Sequence, residues 1–152
     1  MLYLTVKWIH ILCAIVSLGA NLTYFPWFMR VPKQRETLVF TLGTIRLLDT
    51  WIANPSYVLA YITGEVMMRV GGGVAYATPW MTASLVLYAT VSVLGLFVYA
   101  PLLKRQQKLA AANGADDPAY QRVARSGVVL GTLIVILTIG ITFLMVNKPQ
   151  LW

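Results

Sequence analysis

The tetrapeptide K-W-I-H, Lys7 to His10, contains the chain's single histidine and lies inside the apolar opening run MLYLTVKWIHILCAIVSLGAN. Imidazole is the usual axial ligand of haem iron and a common ligand for copper, so His10 is the first candidate for ligand chemistry. A packed histidine bonded to a hydroxyl or carboxylate is the alternative. Lys7 lies about 4.5 Å of helical rise away. It either snorkels to headgroups or joins Arg69 and Lys148 as a cationic rim for carboxylates such as haem propionates. Glu65, the sole carboxylate of the apolar spans, can carry protons, accept a bond from His10, or pair with Arg69 at i,i+4. With one histidine, two histidines of one chain cannot hold a haem between them. Haem requires His10 with a methionine, an open sixth position or a second protomer, and Met145 and Met68 stand at the matching level. Copper is the competing chemistry, because thioethers and imidazole suit Cu(I), but the adjacent Met67 and Met68 diverge by about 100° on a helix.

The elements that position these side chains are membrane helices. Of 152 residues, 59% are hydrophobic and 11% charged, against about 25% charged in an ordinary soluble domain. Spans about 3–29, 50–70, 79–101 and 126–147 are long enough for a hydrocarbon core, which takes about 20 helical residues. They predict an all-α, integral membrane four-helix bundle, with residues 1–152 forming a single transmembrane domain. Only Met-Leu-Tyr-Leu-Thr-Val precedes Lys7, too little for the basic start of a secretory signal, so the first span is expected to be a retained helix. One cysteine, Cys13, excludes a disulfide or thiolate cluster within a chain. A Gly-rich phosphate loop, HExxH, GxSxG and paired-Cys motifs are all missing.

The net charge of +7 reflects loops and not a nucleic-acid stripe. Arg30, Lys33, Arg35 and Arg46 fall between spans one and two, and Lys104, Arg105, Lys108, Arg122 and Arg125 between spans three and four. Only Lys7, Arg69 and Lys148 fall on the other side. This bias predicts both termini outside (periplasmic), with the basic loops in the cytoplasm against anionic lipids. The expected location is the bacterial inner (plasma) membrane, multi-pass. Expected partners are the lipid bilayer and either further copies of the chain or a larger membrane complex, with no nucleic acid.

Pro26 and Pro32 bracket the inner end of span one, and Thr78-Pro79 and Asp117-Pro118 are N-cap signals followed by proline at the first helical position. Asp117-Pro118 predicts a cytoplasmic helix leading into span four. RETLVFTLGTIRLLDT predicts a short interfacial helix before span two or an inward extension of it, with Arg46 and Asp49 three apart. Asn54-Pro55 then interrupts span two and is expected to bend it. Trp27 and Trp51 mark the inner boundary, and Trp8, Trp80 and Trp152 the outer one. Each span carries a polar or small-residue stripe: Lys7, His10, Ala14, Ser17, Asn21; Asn54, Tyr57, Tyr61, Glu65, Met68; Met81, Ser84, Tyr88, Ser92, Gly95; and Gly131, Val135, Thr138, Thr142, Met145. Lipid offers polar groups no partner, so these stripes are expected to meet inside the bundle. By depth, every ionisable candidate falls in the outer half, and the inner half reads as aromatic and aliphatic.

The chain resembles a bacterial family of small, predicted four-helix membrane proteins of unknown function. The likeness covers most of the chain and rests on KWIHILCAIVSLGAN, a K-x-x-H followed by a small-residue helix, and on RLLDTWIANPSYVLAYITGEVMMR, where basic and acidic residues precede a proline and then Thr63-Gly64. That family is more distantly similar to HemJ-type protoporphyrinogen oxidases and CopD-type membrane proteins. The resemblance implies an early membrane histidine associated with b-type haem, matched here by His10 with Lys7 beside it. The further histidines of the HemJ pattern have no counterpart. The expectation is an inner-membrane haem-b-binding protein for electron transfer or haem-linked redox chemistry; if an enzyme, it is a haem-dependent membrane oxidoreductase. The iron ligand is His10, with Lys7, Arg69, Met145, Met68 and Glu65 around the cofactor. A non-catalytic scaffold or accessory subunit is the alternative, and a copper or small-solute transport component the third reading.

Overall fold

A computed structural model describes residues 1–30, 33–71 and 75–151, all in helices or short connections. Pro32, Trp152 and the Gly72–Val74 part of the loop after span two lie outside the described residues. Helix α1 is Leu2–Met29 and α2 is Arg35–Leu48. A π-helical turn, Asp49–Ala53, joins α2 to α3, Asn54–Gly71. Then come α4 (Pro79–Val93), a second π segment (Leu94–Tyr99), α5 (Ala100–Asn113) and α6 (Pro118–Asn147). The result is four helical rods. Three are long and apolar enough to cross a membrane: Leu2–Met29, Pro79–Asn113 and Pro118–Asn147. The rod formed by α2 and α3 is less apolar, because Asn54, Ser56, Tyr57 and Glu65 interrupt it.

The two π segments have one cause. Proline lacks an N–H and its ring collides with the carbonyl four residues back, and a widened turn relieves both. Before Pro55, the Asn54 N–H reaches back to the Asp49 carbonyl; before Pro101, the Ala100 N–H reaches back to the Gly95 carbonyl. The bend expected at Asn54-Pro55 is therefore a local widening. Span three likewise continues through Pro101 as far as Asn113.

The short interfacial helix expected before span two is not what forms. Leu38, Leu42 and Ile45 of α2 are almost wholly buried, and α2 packs against α5. Leu38 and Leu42 share a small core with Ala110 and Tyr120. An apolar face that finds a protein partner does not lie flat on lipid, and α2 extends α3, continuous with it through the π turn. The helix expected to lead into span four is the start of α6, where the Asp117 carboxylate accepts from the Ala119 and Tyr120 N–H groups, both at 3.3 Å. Gly114 closes α5 at φ 82°, a conformation that favours glycine.

Helices α1 and α3 run antiparallel with rings set on glycines. A Cβ on Gly71 would stand 2.8 Å from the Tyr3 ring, and one on Gly64 would stand 3.3 Å from His10 Cε1. The two contacts are seven residues apart on each helix, the repeat of an antiparallel seam with small residues at close approach. The main core joins Tyr24, Ile45, Val91, Tyr99, Leu103 and Ile134. Outside it, Ile15, Phe25, Val86, Phe97, Val129, Ile136 and Phe143 are exposed, as on helices that face lipid.

Candidate functional site

The polar stripes largely turn inward. Ser17, Met81, Ser84 and Thr138 are buried. The Asn21 amide donates to the Tyr57 hydroxyl at 3.2 Å, Tyr57 and Thr138 hydroxyls are 3.2 Å apart, and the Tyr88 hydroxyl donates to the Tyr57 carbonyl at 3.0 Å. Tyr61 stacks on Tyr88 with ring centroids 5.6 Å apart. These bonds satisfy groups that lipid cannot.

His10 is half-buried between α1 and α3. Its Nδ1 is 2.8 Å from the Ala60 carbonyl oxygen and 3.2 Å from Thr63 Oγ1. A carbonyl only accepts, so Nδ1 carries the proton. The Thr63 hydroxyl donates to the Leu59 carbonyl at 2.6 Å, leaving its lone pairs toward the imidazole. In the neutral ring Nε2 then holds the free lone pair, the arrangement found in metal-binding histidines whose other nitrogen is tied to a carbonyl. Gly64 makes room for this ring.

Glu65 does not bond to His10. Its Oε1 accepts from Arg69 Nε at 3.1 Å and Nη2 at 2.9 Å, and its Oε2 accepts from the Tyr76 hydroxyl at 2.7 Å. That hydrogen bond holds the Tyr76 phenol above its ordinary pKa. Lys148 caps α6 in the left-handed region, φ 48°, and its Nζ lies 5.5 Å from the Trp80 ring centroid, a cation–π contact. Lys7 is exposed, while Met68 and Met145 are half-buried. The structure thus places Lys7, His10, Glu65, Arg69 and Lys148 toward the end that carries the termini. It bonds Glu65 to Arg69, and His10 to α3. Among the described residues no group of three or more His, Cys, Asp or Glu is placed to hold a metal.

The half remote from the termini departs from the aromatic and aliphatic expectation. Asp49, read in the sequence beside Arg46, turns inward, is buried, and accepts from the Asn54 amide at 3.3 Å. Arg46 points outward and donates to Gln107 Oε1 at 3.2 Å. Asp49 follows Ile45 by one turn, and Ile45 packs with Tyr24 and Tyr99, where the buried Tyr24 hydroxyl has no partner among the described residues. Asp49 continues the buried face of α2, four residues after Ile45 and seven after Leu42, and its N–H keeps the α-helical bond to the Ile45 carbonyl; that spacing was its sign in the sequence.

No curated protein and no solved structure matches the chain. A family model described as "Predicted integral membrane protein (DUF2269)" matches residues 4–149. The apolar rods, the lipid-suited outer surface and that match together place the chain in the DUF2269 family of integral membrane proteins.

Proposed function

We propose that this protein is a haem-b-binding protein of the bacterial inner membrane, with four spans, both termini outside, and its site in the outer half of the bundle. One observation carries the reading: His10 Nδ1–H is held by the Ala60 carbonyl at 2.8 Å, so Nε2 presents the lone pair an iron takes. The donor set fits a b-type haem on that side. The Ala60 carbonyl and Thr63 hydroxyl fix the ring's tautomer and tilt, and Gly64 admits it close to α3. Met68 and Met145 would be the further side chains to hold it. Lys7, exposed and without a carboxylate partner among the described residues, is the cation free for a propionate; Arg69 and Lys148 are already engaged by Glu65 and Trp80. When bound, haem supplies one-electron transfer. The lone early histidine that resembles the HemJ pattern supports the same assignment.

The test is a reduced-minus-oxidised spectrum of protein purified from haem-replete cells, with metal analysis of the same sample. A Soret band that His10→Ala abolishes is expected. A colourless protein overturns the assignment, and copper in place of iron favours the transport reading. A second reading rests on the same bond, because His10 also ties α1 to α3. As a scaffold or accessory subunit the protein is colourless, His10→Ala lowers its stability, and it co-purifies with a larger complex.

A further inference from the structure

At the end of the molecule away from the termini, an open groove of about 320 Å³ lies between α5 and α6, lined by Leu102, Arg105, Ala119, Arg122, Val123 and Ser126. Its two arginines are exposed, and neither forms an ion pair within 4 Å of a carboxylate among the described residues, Asp117 feeling the Arg122 charge only at longer range. The Ser126 hydroxyl donates to the Arg122 carbonyl at 3.1 Å, so the two guanidinium groups are the donors the groove offers. Leu102, Ala119 and Val123 make its floor apolar.

The level of the groove says what surrounds it. Arg105 follows Leu103 and Lys104, where the apolar run of the α4–α5 rod ends; Arg122 lies one turn before Ser126, where the apolar run of α6 begins. Trp27 and Trp51, at the same end, are exposed as interfacial tryptophans are. The groove therefore opens where two membrane helices leave hydrocarbon for headgroups. Basic pockets between helices at that depth suit anionic lipid headgroups, and guanidinium forks match phosphate oxygens.

We propose that this groove seats an anionic phospholipid headgroup, with Arg105 and Arg122 on the phosphodiester and Leu102, Ala119 and Val123 against the glycerol backbone. A free phosphate uses the arginines but leaves the apolar floor in water, which favours the lipid. The groove is at the opposite end from His10, so it stands independently of any haem.

The full chain, purified in a neutral detergent, is titrated with phosphatidylglycerol or with phosphatidylcholine of matched acyl chains, and retained lipid is counted by native mass spectrometry. Phosphatidylglycerol is expected to be retained in preference. Removing both charges, Arg105→Gln with Arg122→Gln, weakens retention by about 30-fold, from about fivefold per basic side chain at a bilayer surface. The pair Lys104→Gln with Lys108→Gln removes equal charge from α5 outside the groove and leaves retention near wild type. Equal loss in that pair, unchanged retention in the arginine pair, or equal retention of phosphatidylcholine overturns the proposal. Displacement of phosphatidylglycerol by an equal concentration of inorganic phosphate overturns it in favour of a free-anion site.

Discussion

His10 illustrates how little space decides a side chain's chemistry. The imidazole reaches the Ala60 carbonyl across position 64, where a Cβ would stand 3.3 Å from its Cε1 and push the ring by a few tenths of an ångström. Gly64→Val forces the ring away and breaks the bond. The expected cost is about 1–3 kcal/mol, as for overpacking elsewhere, read by unfolding in mixed micelles. Gly19→Ala, where an added Cβ meets nothing within 4 Å, is the matched control and leaves stability unchanged or raised. The buried tyrosines form a second contrast. Tyr57→Phe strips partners from Asn21 and Thr138 and is expected to cost about 0.5–1.5 kcal/mol. Tyr24→Phe removes a buried hydroxyl that has no partner among the described residues and is expected to be neutral or stabilising in the same assay. His10, Lys7, Glu65 and Arg69 were legible as residues because ionisable groups in apolar runs stand out. Their partners were not, because the choice between Glu65 and a backbone carbonyl for His10 depends on how α1 rotates against α3.

Among elements, the π segments carry consequences far from the prolines that cause them. Each adds one residue to a turn, which rotates the chain before it by about 100° relative to the chain after it. The buried face of α2, which ends at Asp49, is set against α3 by this rotation. Pro55→Ala restores the missing donor and lets the turn revert to α-helical register, turning α2 against α3 and disturbing the packing at Asp49. With Cys13→Ala as background, Asp49→Cys is expected to react slowly with a maleimide, and faster once Pro55→Ala is added. The start of α6 responds to pH instead. Hydrogen bonds from Asn113 and from the Ala119 and Tyr120 N–H groups hold the Asp117 carboxyl below its ordinary pKa. Its capping contribution is complete above the ordinary carboxylate value and is lost as pH falls through the lowered folded value. Protection of the Ala119 and Tyr120 amides, read as exchange relative to the intrinsic rate at each pH, should fall with acid over that window in the wild type. Asp117→Ser, a cap that does not titrate, should show no such fall. The starts of α4 and α6 were readable because proline at the first helical position has a fixed φ; Asp117 caps α6 with its carboxylate, whereas Thr78 stands at the N-cap of α4 without a side-chain cap bond. The fate of α2 was not, since the same apolar face serves lipid or protein.

For the whole molecule, the basic residues divide between the two ends of the rods: Lys104, Arg105 and Lys108 lie opposite Lys7, Arg69 and Lys148. That asymmetry sets a testable orientation. Cys13 is buried and is the chain's single cysteine, so Cys13→Ala gives a clean background for introduced labels. In intact cells, Ala77→Cys is expected to react with a membrane-impermeant maleimide, and Lys108→Cys only after the membrane is opened. The reverse pattern would invert the topology and put His10 toward the cytoplasm.

By itself the sequence determined the class of molecule, the apolar helices, the starts of α4 and α6 and the uneven division of basic residues, because hydropathy, proline at the first helical position and charge act locally along a chain. It also determined that one histidine stands in an apolar helix. Only the tertiary structure decided that His10 gives its proton to α3 and keeps Nε2 free, that α2 covers α5, that Asp49 is buried, and that Arg105 and Arg122 share a groove. Each of these depends on the rotation of one helix against another. That rotation is set by close contacts such as Gly64 with His10 and Gly71 with Tyr3, between residues that the linear order keeps far apart.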